Sequence, residues 1–388
     1  MFDFDTPVLR RNTNSYKWDS NEVATDVLPM WVADMDFKTA PCIIDALHNR
    51  VEHGVFGYVS VPNSYYDAVI NWFARRHDWS IKRDWIQYTS GVVPAISAII
   101  KGLTCPGDEV IVMTPVYNCF FSSIRNNGCT AVQCPLVYDN QTYHIDYDAL
   151  ESCASGDNAK MLLLCNPHNP AGRVWTRDEL VNIGEICRRH NVIVVSDEIH
   201  CELVMPGYKY TPFASISASM QDICITCNSP SKSFNTAGLQ IANIVCSNPE
   251  WQSRIDRAIN DNEVCDVNPF GVEGLIAAYN QGEQWLTELC QYLHGNYKLV
   301  KDFFESNLPD YPITTLEATY LVWIDCRVTG KTSDEIIKLL IDDAKVMLNG
   351  GAMYGTAGEG FVRLNIACPR DRLDEALNRM LPVLRQLV

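Results

Sequence analysis

The sequence predicts an α/β fold with a mostly parallel sheet, on two observations. Strand-like and helix-like segments alternate through the middle of the chain. The strand-like segments are unbroken apolar runs, such as MLLLC (161–165) and VIVV (192–195). Continuous apolar character, in place of alternation, is typical of strands that helices cover on both faces. The chain has 388 residues and is therefore long enough for two domains.

The predicted elements follow one another in a regular order. Helical patterns cover 64–77, 92–103 and 176–190. The first begins at a serine and the last at a threonine, both of which are favoured helix caps. The predicted strands of the sheet are 108–115, 161–167, 192–198, 222–229 and 240–247.

The pattern changes after about residue 270, where a long helical stretch (283–307) precedes two further strand-like segments and a final helix. The first 50 residues do not fit the strand–helix alternation. We therefore predict a large α/β domain at 51–282, and a smaller α+β domain formed by 1–50 and 283–388.

The charge balance argues against two classes of partner. The chain has 31 basic and 47 acidic residues, a formal net charge of −16, whereas nucleic acids and anionic membranes attract basic surfaces. The first residues, MFDFDTPVLRRN, lack a basic segment followed by an apolar one, and no apolar run approaches the roughly 20 residues of a membrane helix. We expect a cytoplasmic protein without nucleic-acid or membrane partners.

The sixteen cysteines are scattered, and many lie in apolar runs, where a free cysteine behaves as a small hydrophobic residue. Without a secretion signal, reduced thiols are the default. Cys224 and Cys227 have the spacing of a redox pair or half a metal site. However, no second pair of ligands stands at zinc-binding spacing, so a structural role is the better interpretation.

Polar residues stand at five strand or helix ends, where ligands bind in open α/β sheets. They are Asn169 in NPHNPAG, Asp197 in SDEIH, Lys232 in SPSK, Tyr117 in TPVY, and the hydroxyls of Thr89 and Ser90 with Gly91 in TSG. Each alone has an ordinary explanation: a turn, a helix cap, a solvated lysine or a core ring. Their joint occurrence at one edge of the sheet is harder to explain in that way.

The five groups suit one cofactor. A lysine whose charge is discouraged by burial becomes a nucleophilic amine that can form a Schiff base with an aldehyde. Pyridoxal phosphate needs such an amine, a carboxylate at its ring nitrogen, a donor near its ring oxygen, an aromatic face and a phosphate cradle. Glycine and hydroxyl groups at a helix N-terminus supply a cradle of this kind.

The combination of NPHNPAG, SDEIH and SPSK resembles the fold-type-I pyridoxal-phosphate enzymes, the aspartate aminotransferase superfamily. More narrowly, YKWDS, LPMWVADMDF, FGYV, DEIHCEL and FVRLNIACPR resemble the MalY/PatB-type carbon–sulfur lyases, also called cystathionine β-lyases. The resemblance covers essentially the whole chain. It implies an aspartate-aminotransferase-like fold and β-elimination of sulfur-containing L-amino acids to thiol or sulfide, pyruvate and ammonia.

The resemblance also implies roles for individual residues. Lys232 holds the cofactor and serves as the catalytic base, and Asp197 pairs with the ring nitrogen. Asn169 bonds the ring oxygen, Tyr117 stacks on the ring, and His200 lies near it. The phosphate is bound by backbone N–H groups and hydroxyls from Gly91, Val92, Val93, Ser229 and Ser231.

Two further residues bind substrate by the same resemblance. Arg363, in FVRLNIA, clamps the substrate carboxylate as a bidentate fork. Tyr58, in FGYV, reaches the phosphate or the substrate of a partner subunit and takes part in catalysis there, so a homodimer is implied. A core aromatic is the ordinary alternative for Tyr58.

Two departures leave the reaction open. Many aminotransferases have a tyrosine where this chain has His200, and an arginine where it has Gln240. The nearest alternative is an aminotransferase of class I or II on the same fold. A second is a regulatory role through binding of a protein partner, beside catalysis or in its place. The preferred sulfur amino acid is not determined by these motifs.

Overall fold

The chain folds around one seven-stranded sheet in the structure, a computed structural model that describes residues 2–139, 141–261, 263 and 265–388. The strands are β1 (Leu28–Pro29), β2 (Ile86–Thr89), β3 (Glu109–Thr114), β4 (Thr130–Pro135), β5 (Val137–Asp139), β6 (Thr142–His144), β7 (Ala159–Cys165), β8 (Ile193–Asp197), β9 (Cys224–Asn228), β10 (Ala242–Cys246), β11 (Leu321–Asp325), β12 (Val346–Met347), β13 (Asn349–Gly350) and β14 (Phe361–Asn365).

The helices precede and follow these strands along the whole chain. They are α1 (Tyr16–Asp19), α2 (Pro41–His53), α3 (Asn63–His77), α4 (Val92–Leu103), α5 (Cys119–Asn126), α6 (Tyr147–Ala154), α7 (Arg177–Arg189), α8 (Ala218–Asp222), α9 (Pro249–Asn260), α10 (Pro269–Gln281), α11 (Glu283–Asn307), α12 (Ser333–Leu339) and α13 (Arg370–Arg385).

The large sheet has the strand order β2-β10-β9-β8-β7-β3-β4. Neighbouring strands from β4 to β9 are parallel, and β10 is antiparallel to both of its neighbours. The predicted α/β fold with a mostly parallel sheet is therefore confirmed. Because β3, β7, β8 and β9 run in the same direction, the residues that follow each of them meet at one edge of the sheet.

Both faces of the large sheet are buried. Along β7, Leu162 and Leu164 belong to one core cluster, whereas Met161 and Leu163 belong to the cluster on the opposite face. Alternate residues of a strand point to opposite faces, so helices on both sides explain why MLLLC has no polar position. The same alternation puts Cys224 and Cys227 of β9 in different clusters.

The C-terminal part contains the antiparallel sheet β11-β14-β13. The N-terminal segment packs with this C-terminal part, because β1 pairs in parallel with β12 in a separate two-stranded sheet. Helix α2, however, packs against α10. The division into 51–282 and 1–50 with 283–388 stays a prediction.

Two predicted helix caps have different outcomes. The Thr176 hydroxyl accepts a hydrogen bond from the Glu179 backbone N–H (3.2 Å), and the Glu179 carboxylate accepts one from the Thr176 N–H (2.8 Å). This capping box confirms the cap of α7. The serine cap at 64 is wrong: α3 begins at Asn63, after Pro62, so Ser64 already lies inside the helix.

No described helix is both long and apolar enough to span a membrane.

Replacing Thr176 with alanine tests the capping box. The Thr176→Ala variant loses the hydroxyl that satisfies a helix N–H group, so its free energy of unfolding should fall by about 1 kcal/mol. Urea unfolding followed by far-UV circular dichroism measures the change. Thr25→Ala, at an exposed loop position, is the matched control. Equal unfolding midpoints for the two variants would contradict a stabilising cap.

Candidate active site

A cavity of about 470 Å³ lies beyond the carboxyl ends of the parallel strands. Ten of the twelve residues that the sequence singled out line it: Gly91, Val92, Val93, Tyr117, Asn169, Asp197, His200, Ser231, Lys232 and Arg363. They come from the ends of β3, β7, β8 and β9, from the start of α4, and from β14 of the C-terminal sheet. One cavity therefore collects side chains that are far apart in the sequence.

Two of the twelve residues do not line the cavity. Ser229 is buried outside the lining, and its hydroxyl donates to the Ile241 carbonyl oxygen (2.6 Å) and accepts from the Ser231 backbone N–H (3.0 Å). These bonds shape the turn that carries Ser231. Tyr58 is 95% exposed, so within one chain it contacts solvent and not the cavity.

Lys232 follows β9 and points its amine at a backbone carbonyl. Its Nζ donates to the Ala33 oxygen at 2.6 Å. Burial, with the positive charge of Arg363 nearby, lowers the pKa of Lys232 to about 8, although Asp34 and Asp197 act in the opposite direction. The uncharged amine is thus much more populated near neutral pH than in an ordinary lysine.

Asp197 is the last residue of β8 and is 3% exposed. Burial raises the pKa of its carboxyl to about 7, against the opposing effects of the Ile199 N–H bond and the Lys232 charge. The Asp197 Oδ1 accepts from that N–H at 3.1 Å. A further positive group in the cavity would stabilise the charged carboxylate, because an opposite charge offsets desolvation.

Arg363 lines the cavity from the middle of β14. Its Nη1 donates to the Asn169 side-chain oxygen (3.1 Å) and its Nη2 to the Trp31 carbonyl oxygen (3.0 Å). Its guanidinium lies over the ring of Tyr354, 5.0 Å from the centroid. The buried Nε has no partner among the described residues. The side chain is held in place and keeps donor capacity for an anionic group.

The start of α4 supplies backbone donors. Its first N–H groups, at Val92 and Val93, have no side-chain cap, and both residues line the cavity beside Gly91. The hydroxyl-bearing residues Ser90 and Ser231 line the same region. A helix N-terminus with free N–H groups is a suitable site for a phosphate.

His200 and Tyr117 complete the predicted lining. Burial, with Lys232 and Arg363 close by, lowers the pKa of His200 well below its ordinary value, so its ring is neutral. Its buried Nδ1 lacks a hydrogen-bond partner among the described residues. Burial raises the pKa of Tyr117 well above its ordinary value, which keeps the phenol protonated. Gln240 lines the cavity at the position discussed as a departure.

Several residues that line the cavity were not identified from the sequence motifs. Trp31, Val32 and Ala33 come from the N-terminal segment, and Tyr16, Asn349 and Met353 line the cavity as well. The Ala33 oxygen accepts from the Tyr320 hydroxyl (3.0 Å) as well as from Lys232. The motif LPMWVADMDF contains Ala33, but a backbone carbonyl gives no signal in the residue type.

The residues present fit pyridoxal phosphate. A weakly basic amine, a carboxylate without a full counter-charge, a protonated phenol and a row of free N–H groups surround one cavity of suitable size. These are the groups that this cofactor requires for attachment, for its ring and for its phosphate.

Comparison with known proteins agrees with this chemistry. The model of the family "Aminotransferase class I and II" matches residues 17–380. The chain is 40% identical to cystathionine β-lyase PatB of Bacillus subtilis, over 97% of this chain and 98% of that protein. It is 34% identical to protein MalY of Escherichia coli, over 99% of both chains.

Solved structures give the same result. Cystalysin from Treponema denticola, which contains pyridoxal 5′-phosphate, matches with a TM-score of 0.96 and 37% identity over 100% of both chains. The pyridoxal-phosphate-bound C–S lyase from Staphylococcus hominis matches with a TM-score of 0.93 and 31% identity, over 99% of this chain and 98% of that chain. This protein belongs to the aminotransferase class I and II family, has the aspartate-aminotransferase-like fold and groups with the MalY/PatB-type lyases.

Proposed function

We propose that the protein is a pyridoxal-phosphate-dependent carbon–sulfur β-lyase. It cleaves the Cβ–S bond of sulfur-containing L-amino acids, so that R–S–CH₂–CH(NH₃⁺)–COO⁻ and water give RSH, pyruvate and ammonium. The observation that carries the proposal is the cavity in which the weakly basic amine of Lys232 has the charges of Asp197 and Arg363 close enough to change its pKa. Relatives named cystathionine β-lyase and C–S lyase, at 31–40% identity, support this reaction over others on the fold.

Pyridoxal phosphate, when bound, supplies an electron-withdrawing ring that stabilises negative charge at the substrate Cα. Asp197 would hold a proton on the ring nitrogen, and the positive charge there would offset the desolvation that raises the pKa of the Asp197 carboxyl. The N–H groups of Val92 and Val93, with the Ser231 hydroxyl, would bind the phosphate. Tyr117 would cover a face of the ring, and Asn169 would donate to its oxygen.

Lys232 moves the proton. Its Nζ is uncharged at a pH above about 8 and is partly so near neutrality, which suits a base that takes the Cα proton. The Ala33 carbonyl oxygen accepts from this amine and keeps it in the cavity when it is free. The same Ala33 oxygen also accepts a hydrogen bond from the hydroxyl of the buried Tyr320, and this bond fixes the position of the acceptor.

Arg363 orients the substrate. Its guanidinium offers N–H donors in a planar fork, which suits the two oxygens of an α-carboxylate. The bonds to Asn169 and Trp31 hold this fork in place, so a bound amino acid has one orientation relative to the Lys232 amine.

A second copy of the chain completes the proposed enzyme. The segment around Tyr58 exposes large apolar side chains, with Val55 62%, Phe56 58% and Tyr58 95% exposed. Such a patch is unusual on a free surface and suits an interface. A homodimer in which Tyr58 reaches the phosphate or the substrate of the partner is consistent with this exposure, and a cytoplasmic location remains a prediction.

Replacing Lys232 with alanine tests the proposed base. The variant should lose pyruvate release by about 10³-fold or more, because no amine remains to take the Cα proton. Lys209→Ala, which removes an exposed lysine, is the matched control and should keep the parental rate. Pyruvate is measured with S-methyl-L-cysteine as substrate. A Lys232→Ala protein that retained turnover would remove the residue from the mechanism.

Replacing Arg363 tests the carboxylate clamp. Arg363→Lys keeps the positive charge but loses the planar fork, so KM should rise by about tenfold or more while kcat changes less. Steady-state kinetics of pyruvate release separate the two constants. The matched control is Arg327→Lys, in the same part of the fold but outside the cavity lining. An unchanged KM for Arg363→Lys would exclude the clamp.

The pKa of Lys232 gives a pH prediction for the cofactor-free protein. Burial favours the neutral amine, so the midpoint at which Lys232 loses its proton should lie at a pH of about 8. The ordinary pKa of a lysine is 10.5. Competitive acetylation followed by peptide mass spectrometry reports this midpoint for Lys232. In Arg363→Met the midpoint should move upward, because a neighbouring positive charge is lost. A midpoint near 10.5 in the parent protein would contradict the desolvated environment.

A further inference from the structure

Five charged side chains form a cluster at the N-terminal segment that contributes to the cavity wall. We call Arg10, Lys17, Asp34, Asp36 and Arg372 the N-terminal ion cluster. Arg10 pairs with Asp34 and Asp36 (2.8 Å each), and Lys17 pairs with the same two carboxylates (3.6 and 3.2 Å). Arg372 pairs with Asp36 (3.0 Å). Lys17 and Asp36 are each 1% exposed, and the proposed function gives none of the five residues a role.

The position of the cluster in the chain indicates a use beyond stability. Buried ion pairs contribute little net stability, because the loss of water offsets their attraction. Asp34, however, directly follows Ala33, whose carbonyl oxygen accepts from the Lys232 amine at 2.6 Å. The same oxygen accepts from the Tyr320 hydroxyl at 3.0 Å. The N-terminal ion cluster therefore begins one residue after the acceptor of this amine.

The peptide group that carries this acceptor is held through Asp34. The Asp34 carboxylate accepts from both Nη atoms of Arg10, at 3.2 and 2.8 Å, and such a bidentate pair restricts orientation as well as distance. The Asp34 backbone N–H donates to the Val32 oxygen (2.9 Å), and its carbonyl oxygen accepts from Asn365 Nδ2 (2.7 Å). Together these bonds limit rotation of the peptide group between Ala33 and Asp34.

Charged and titratable groups from several elements face the Lys232 amine. They are Arg363 of β14, Asp197 of β8, His200 after it, Cys119 of α5, Tyr320 before β11 and Asp34. Burial lowers the pKa of Lys232 to about 8, and the charge of Arg363 acts in the same direction. Asp34 opposes them more strongly than Asp197 does. Asp197 pairs with the cofactor ring in the proposed function, whereas Asp34 is not among the described residues that line the cavity. Asp34 is thus a counter-charge that the cofactor does not use.

We propose, on the basis of the proposed function, that Asp34 is a positioning residue for the Lys232 amine. Its carboxylate, held by Arg10 and Lys17, fixes the peptide group whose Ala33 oxygen accepts from this amine, and keeps a negative charge beside it. The amine is thereby kept at one place in the cavity, where it takes the substrate Cα proton. The two cations moderate the charge of Asp34, so the amine is not held permanently protonated.

Replacing Asp34 with asparagine tests the counter-charge, because it removes the charge and keeps the size of the side chain. In the cofactor-free protein, competitive acetylation with peptide mass spectrometry should give a Lys232 midpoint about half a pH unit or more below the parental value. A variant that only admitted water would shift upward, toward the ordinary lysine value of 10.5. An unchanged or raised midpoint in Asp34→Asn would overturn the inference.

Three further variants make the charge test specific. Lys17→Met removes an offsetting cation and leaves the fork between Arg10 and Asp34, so the midpoint should rise. Asp34→Glu keeps the charge and should bring the midpoint closer to the parental value than Asp34→Asn does. Asp26→Asn is the matched control: it removes a 60% exposed carboxylate that pairs with Lys345 at 3.7 Å, and the midpoint should not change. A fall in Lys17→Met, or equal falls in Asp34→Glu and Asp34→Asn, would contradict the inference.

Kinetics of the cofactor-loaded protein separate this inference from the proposed function. With S-ethyl-L-cysteine, Asp34→Asn should lower kcat for pyruvate release by about tenfold or more and change KM less, because the Arg363 clamp is retained. Pyruvate from the parental protein, with the parental kcat and midpoint in Asp34→Asn, would overturn the inference and leave the lyase function standing. No pyruvate from the parental protein would refute the lyase function, and the Lys232 midpoint in the cofactor-free protein would still decide the role of Asp34.

Discussion

Nearly complete exclusion of water from Asp197 and Arg363, and partial exclusion from the half-buried Lys232, is the constraint on which the proposed chemistry depends. In water, the amine would be charged and the carboxyl ionised near neutral pH. In the cavity, burial is the largest influence on both groups and brings their pKa values to about 8 and about 7. Two groups that ordinarily titrate far apart thus titrate in the same narrow pH range.

This exclusion needs three distant parts of the chain. The parallel strands present Lys232 and Asp197, and β14 presents Arg363. The segment 31–36 closes the cavity between them: Asn365 donates to the Val32 and Asp34 oxygens (2.5 and 2.7 Å), and Asn235 bonds both the N–H and the carbonyl of Met35 (2.9 Å each). The Asn235 bonds tie the turn that carries Lys232 to the segment whose Ala33 carbonyl oxygen accepts from its amine.

The site residues that follow strand ends could be predicted from the sequence, whereas most of the contacts between distant segments could not. Buried parallel strands are recognisable as apolar runs, so the positions of Asn169, Asp197 and Lys232 at one edge followed from the fold. The Ala33 carbonyl could not be found in this way, because any residue offers one. Nor could the part of the cavity wall formed by Tyr16 and Met353, because these residues come together only in the folded chain.

The stoichiometry of the reaction without a keto acid is the most direct test of the account. The cofactor-loaded protein is given S-ethyl-L-cysteine alone, and thiol and pyruvate are measured over many turnovers. Equal amounts of both, in excess of enzyme, are the result that β-elimination at Lys232 predicts. A single turnover without thiol, continuing only when a keto acid is added, would show amino transfer and contradict the account.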